Sequence, residues 1–214
     1  MRIKANAQPG TGDKGVTNLK TNPTRKSDPY NLFYGTAERV QVACSEALLE
    51  DRFEQEEAIA LTDWLQKAVF GLNAFHYHMV KGKLGALSRF CFSESTQQKL
   101  DQLVESWQPI YGGSADFQLF CQNRPLHLLN KIRTETRNLE LYFFNSLEDE
   151  RTLERLSREQ EPFIERVTSV LNRLSSVYWL LTQRERSLQQ TQPIYWSGET
   201  PELTLFLESY VDPS

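Results

Sequence analysis

The sequence predicts an all-α protein: an antiparallel bundle of four or five helices behind a basic N-terminal arm. Three observations carry that expectation. Apolar residues recur at helical intervals through most of the chain after Gly35, strand patterns are almost absent, and the breaks between helical stretches are short. Of 214 residues, 39% are hydrophobic, enough for one core and cramped for two. A single domain over 1–214 is therefore expected, with an arm at 1–35, the bundle at 36–190 and a tail at 191–214.

The arm is rich in Gly, Asn, Thr, Pro and Lys. It carries Arg2, Lys4, Lys14, Lys20, Arg25 and Lys26 against only Asp13 and Asp28, whereas the whole chain has a net charge of −4. Within it, "TGDKGVTNL" (11–19) sets two glycines around an Asp-Lys pair. Such a stretch is either a loose leader or a loop that wraps a charged ligand, and composition alone reads as a leader. The first helix is expected from Thr36, as its N-cap, to Arg52. The second is expected over Glu54–Val80, stopping near Gly82. A shorter one, "STQQKLDQLVESW", is stopped by Pro109 and Gly112–Gly113. Pro125 suits the first turn of the fourth, "PLHLLNKIRTETRNLELYFFNSL". The last is expected from about Glu150 to Gln190. No internal repeat or low-complexity tract interrupts the pattern.

Several function classes find no support. A net charge of −4 suggests no bulk attraction to nucleic acid or an anionic membrane. No apolar run approaches the ~20 residues that cross a bilayer, and the first residues hold no hydrophobic segment of a signal peptide. The three cysteines, Cys44, Cys91 and Cys121, are widely spaced and form no CxxC pair, which points to reduced thiols in the cytoplasm. His76 and His78 stand two apart on a helix and face different sides, and His127 stands alone, so no metal site is expected. There is no Walker A loop, no GxSxG and no paired-carboxylate motif.

Two places could carry chemistry. Arg133, Arg137 and Glu140 fall at i, i+4 and i+7, hence on one helix face. Arginine forks match phosphate oxygens, and a nearby Glu can hold them or accept a hydroxyl. The alternative is a solvated charged face with helix salt bridges. Asn172, ahead of the apolar run Val177–Leu181, could bind a ribose or a base edge, or simply be a polar surface residue. The aromatics Phe70, Phe75, Phe90, Phe92, Phe143 and Phe144 read as core.

In chain order these pieces resemble the PduO-type ATP:cob(I)alamin adenosyltransferases. "TGDKGVTNL" is similar to that family's TGDxGxTxL. "KSDPYNLFYGT" resembles KDDPRVEAYGT, with Lys26, Asp28, Pro29, Tyr34, Gly35 and Thr36 in place. "YGGS" at 111–114 stands where the family writes PGGS. "IRTETRNLE" resembles ARTVCRRAE and keeps Arg133, Thr134, Arg137 and Glu140. "LNRLSSVYWLL" resembles LNRLSDYLFVL and keeps Leu171, Asn172, Arg173, Leu174, Ser175 and Leu181. The resemblance spans about residues 11–196.

It implies a helical bundle of the cobalamin adenosyltransferase type with a nucleotide-binding arm, assembled as a homotrimer with ATP between subunits. Thr11, Gly12, Asp13, Lys14, Gly15 and Thr17 would wrap the triphosphate, assisted by Lys26. Arg133, Arg137 and Glu140 would be the catalytic residues, and Asn172 would complete the nucleotide site. ATP with Mg2+ and a reduced cobalamin are the implied substrates. Phe90 or Phe92 would supply the apolar surroundings that help expel the corrinoid's lower axial ligand. Such a reaction needs no general base, because reduced cobalt is already a strong nucleophile; the protein orients C5′ and stabilises the departing triphosphate.

The chain departs from the family pattern at several of these places. Glu38 stands for an Asp and Arg39 for the acid that follows. Asn138 and Leu141 replace arginines, Ser176 an Asp and Gln183 an Arg. An added stretch around "ADFQLFCQNR" precedes the arginine helix. Two functions are therefore expected in competition: a divergent corrinoid adenosyltransferase, or a relative that binds ATP or corrinoid without turnover as a regulatory or assembly protein. A purely structural bundle comes third.

Overall fold

Asp28 starts the first helix. Its Oδ1 accepts from the Tyr30 N–H at 2.9 Å, and Pro29 fills the first turn, where no donor is needed. In the computed structural model, which describes residues 15–17, 24–112, 118–119, 123–152 and 156–195, α1 spans Pro29–Leu48. The cap expected at Thr36 is thus not a cap. Thr36 is buried mid-helix and donates its hydroxyl to the Leu32 carbonyl at 2.8 Å. The Asp-Pro start overrides Gly35, whose presence inside a helix costs only ~1 kcal/mol.

α2 runs Glu56–Val80 and stops at Gly82, whose φ of 64° is open to glycine at little cost. A short helix not expected from the sequence, α3 (Leu84–Phe90), follows. α4 spans Glu94–Tyr111, capped by Ser93, and carries Pro109 in its last turn, past the expected stop. α5 spans Arg124–Thr152, with Asn123 Oδ1 accepting from the Leu126 N–H at 3.0 Å.

The expected last helix does not begin at Glu150. α5 carries through Thr152, and α6 (Glu161–Leu188) starts only after a single 3-10 turn at Arg158–Gln160. A capping box between Ser157 and Gln160, followed by Pro162, restarts the chain there. Gln160 also donates to the Met79 carbonyl at 2.9 Å, tying this restart to the end of α2. The only extended pieces among the described residues are two two-residue antiparallel ladders: β1 (Val16–Thr17) with β2 (Thr24–Arg25), and β3 (Gln118–Leu119) with β4 (Ile194–Tyr195).

Cross-helix contacts set the directions. Arg39 meets Glu135, Lys131 meets Glu46 and Arg124 meets Glu50, so α1 and α5 are antiparallel. Asn123 meets Gln189 and Arg133 meets Trp179, so α5 and α6 are too. Gln55 donates to the Leu181 carbonyl and Thr62 touches Tyr178, which sets α2 against α6 in the same sense. Arg166–Glu94 and Arg173–Asp101 make α4 parallel to α6. The five long helices therefore alternate up and down, as the sequence predicts.

Their shared core holds Phe33, Val40, Leu65, Leu72, Phe75, Leu129, Ile132, Phe143, Leu171 and Leu174. Phe70 and Phe144, expected inside with the other aromatics, are 64% and 38% exposed. His76 is buried. It stacks on Phe33 with centroids 4.3 Å apart and meets Ser146 Oγ through Nε2 at 2.7 Å. His78 lies flat on Phe90 at 5.3 Å. Cys44 and Cys91 are free thiols, and burial pushes the Cys44 thiol up to about 12; Cys121 lies outside the described residues. No helix among the described residues is long and apolar enough to cross a membrane.

Candidate nucleotide site on the fifth helix

The 3.6-residue repeat of α5 turns Arg133, Arg137, Glu140, Leu141 and Phe144 to one side. Together with Thr134 and Asn138 they line an open depression of about 470 Å³. Arg133 is half-buried. Its Nη1 donates to Asn130 Oδ1 at 3.2 Å, and its guanidinium lies over the Trp179 ring, 5.1 Å from the centroid. Burial, and secondarily the charge on Arg137, lowers the Arg133 pKa. Burial raises that of Glu140, with Arg137 pulling the other way. Arg137 itself is exposed.

The ion pairs elsewhere distinguish a site from a solvated charged face. On the side of α5 that meets α1, Arg124, Lys131 and Glu135 each have an opposite charge within 3.0 Å. Across α6, Arg166, Arg173 and Arg184 pair with Glu94, Asp101 and Glu57. Arg133 and Arg137 make no such pair among the described residues, and one of the two has already lost part of its water. Two guanidiniums without ion pairs share one concave face with a single carboxylate, Glu140, and guanidiniums with open donors are the groups that suit an anion.

Register brings other expected residues alongside. With Asn123 opposite Gln189 and Arg133 opposite Trp179, Asn172 comes to the level of Glu140. Asn172 is exposed, and Ser176 and Trp179 share its face of α6 at i+4 and i+7. Lys26 sits just before α1. Tyr30 and Ser146 both touch His76, so the first turn of α1 lies at the level of Ser146. The Lys26 N–H donates to the Gly15 carbonyl at 2.8 Å, next to the β1–β2 ladder. That contact joins the end of the glycine loop to Lys26. Gly15 has φ of 71°, a conformation that favours glycine. Thr17 pairs with Thr24 in the ladder, while Thr11, Gly12, Asp13 and Lys14 lie outside the described residues.

Phe90 and Phe92 are not brought to this face. Phe90 ends α3 against His78, and Phe92 packs 6.0 Å from Trp64 of α2. Arg39 has found a new partner: its Nε donates to Glu135 at 2.9 Å and its Nη2 to Thr36 Oγ1 at 2.9 Å. Gln183 is held at the far end of α6, donating to Gln118 at 3.1 Å and accepting from buried Arg186 at 2.6 Å. Trp179 escaped the sequence reading. Its signal was the i+7 spacing from Asn172, which becomes informative only once α5 is known to lie beside it.

The sequence matches the family described as cobalamin adenosyltransferase over residues 8–184. The chain belongs to the cobalamin adenosyltransferase family. Among curated proteins, none matches the sequence significantly. Solved structures share the fold of this adenosyltransferase-family chain. A phenylalanine-to-alanine variant of a PduO-type ATP:corrinoid adenosyltransferase from Lactobacillus reuteri, complexed with cobalamin and ATP, has a TM-score of 0.64. It is 17% identical, and the match covers 89% of this chain and 99% of that one. An arginine-to-lysine variant from the same organism, complexed with ATP, gives 0.62 at 18% identity over 88% and 99%.

Proposed function

We propose that the protein transfers the 5′-deoxyadenosyl group of ATP to a reduced corrinoid. One observation carries this reading: Arg133 and Arg137, unpaired among the described residues, on a concave face of a chain belonging to this family. Cob(I)alamin attacks C5′ of ATP through a cobalt electron pair. The Co–C bond forms as the C5′–O bond breaks, and the electrons of the broken bond leave on triphosphate. Arg133 and Arg137 hold the phosphates and stabilise the charge that develops on the departing oxygen. Asn172, level with Glu140, reaches the ribose or base. The hydrogen bond from the Lys26 N–H to the Gly15 carbonyl keeps Lys26 beside the end of the glycine loop, which supports the two acting together on the triphosphate.

Mg2+ in such a site keeps most of its shell from phosphate and water, needing at most one or two carboxylates. Glu140 is the carboxylate lining the depression, which fits that modest demand. Leu141 and Phe144 leave 53% and 38% of their surface exposed beside Arg137, a mixed apolar and charged face that supports a homotrimer with ATP between copies. For the corrinoid surroundings the resemblance offers Phe90 and Phe92, which pack against His78 and Trp64 rather than on the α5 face. The two free thiols among the described cysteines fit a cytosolic protein.

A second reading, ATP binding without turnover, is favoured by Leu141 and Asn138. They line the depression where the resemblance places arginines, so the clamp holds less positive charge. Mixing the protein with ATP and chemically reduced cobalamin separates the two. Turnover appears as the absorbance change of Co–C bond formation. Calorimetric ATP binding with no such change would sink the transferase reading and leave the second.

A further inference from the structure

We propose that Trp179 is a positioning residue, holding the Arg133 guanidinium in place for phosphate; this rests on the nucleotide reading above. The guanidinium lies 5.1 Å from the Trp179 centroid, with Nη1 fastened to Asn130 Oδ1 at 3.2 Å. Most other interhelical arginines of this bundle are held by carboxylates. Arg39, Arg166 and Arg173 each donate to a Glu or Asp of a neighbouring helix. A carboxylate neutralises the cation and occupies its donors. An aromatic face does neither: it attracts the positive charge through the ring quadrupole and leaves the in-plane N–H groups open. Indole is the strongest of the aromatic faces for this purpose.

The geometry answers a difficulty of the site. Arg133 is half-buried on α5, and a flexible side chain must be ordered before it can bind phosphate well. Asn130 fixes it from one turn away on its own helix, and Trp179 fixes it from α6. The same α6 face carries Asn172 and Ser176. A single helix thus presents the expected ribose contact and the support of the phosphate contact. At the Trp179 position the resembling motif LNRLSDYLFVL has Phe, a smaller ring with the same kind of face.

The test uses the full-length protein, with ATP as titrant in calorimetry. Trp179→Leu, which keeps apolar bulk and removes the quadrupole, is expected to weaken ATP binding roughly tenfold. Trp179→Phe is expected to restore most of the loss. In an Arg133→Ala background, Trp179→Leu is expected to do nothing more, an outcome that a general packing role would not produce. Equal affinity in wild type and Trp179→Leu, or an equal further loss in the Arg133→Ala background, overturns the proposal. A second measurement needs no ligand. The Arg133 δ-methylene protons, shifted upfield by the ring current in wild type, are expected to return toward ordinary positions in Trp179→Leu and to stay shifted in Trp179→Phe. If they are unshifted in wild type, Trp179 does not hold Arg133 and the proposal fails. Absence of ATP binding in wild type, with that shift present, would instead overturn the nucleotide reading and leave the positioning contact standing.

Discussion

Replacing Arg137 by Ala separates binding from folding. The side chain is exposed and makes no ion pair among the described residues; the one charge its loss leaves less compensated is that of half-buried Glu140. A surface change of this kind shifts stability by less than ~0.5 kcal/mol. A guanidinium on a phosphate is different: hydrogen bonds to charged groups contribute ~1.5–3 kcal/mol each. That range corresponds to a roughly 10- to 150-fold weaker ATP complex. Calorimetric titration with ATP, run beside thermal melts, reads both quantities. Lys131→Ala is the control, since Lys131 is committed to Glu46 at 2.7 Å on the far side of α5; it is expected to leave ATP affinity unchanged. Unaltered affinity in Arg137→Ala would refute the reasoning. So would a loss of binding matched by a comparable loss of stability.

Further outcomes follow from the same structure. Gly15→Ala forces a residue with a Cβ into φ of 71°, costing ~1–2 kcal/mol locally; ATP affinity is expected to fall while the melting temperature holds, because the strain is confined to the short ladder. Burial raises the Glu140 pKa above its ordinary 4.5, so the folded state holds that proton more tightly than the unfolded chain. The ionised form therefore destabilises the fold above the folded pKa, and this penalty fades as pH falls toward 4.5. Glu140→Gln is expected to raise the melting temperature at neutral pH and to lose that advantage in acid. Phe143→Ala empties a fully buried site touching Phe33, Phe75 and His76, and urea unfolding should show a loss of ~3–5 kcal/mol.

What could be read from sequence was what local physics encodes. Pro125 at the head of α5 and the Arg133–Arg137–Glu140 stripe depend only on one helix and its repeat. The break between α5 and α6 is equally local, yet it falls later than the boundary expected between Leu147 and Glu150. Charged residues across 150–160 suit a helix, and the Ser157–Gln160 capping box with Pro162 outweighs them. The early start of α1 was hidden because Gly35 looked like a boundary while Asp28-Pro29 held the real cap. Nothing local reveals that Arg39 would meet Glu135, 96 positions away, or that Trp179 would lie over Arg133. Those contacts exist only once α1, α5 and α6 are in register. They also recast the departures from the family pattern: Arg39, which stands for an acid, is answered by Glu135 across the α1–α5 seam.

The most direct test of the account follows phosphorus. Incubated with ATP and chemically reduced cobalamin, the protein should release intact inorganic triphosphate, one for each Co–C bond formed, as seen by phosphorus NMR beside the visible spectrum. Attack at C5′ allows no other stoichiometry. ATP left unchanged, or release of ADP and phosphate in place of triphosphate, would contradict it.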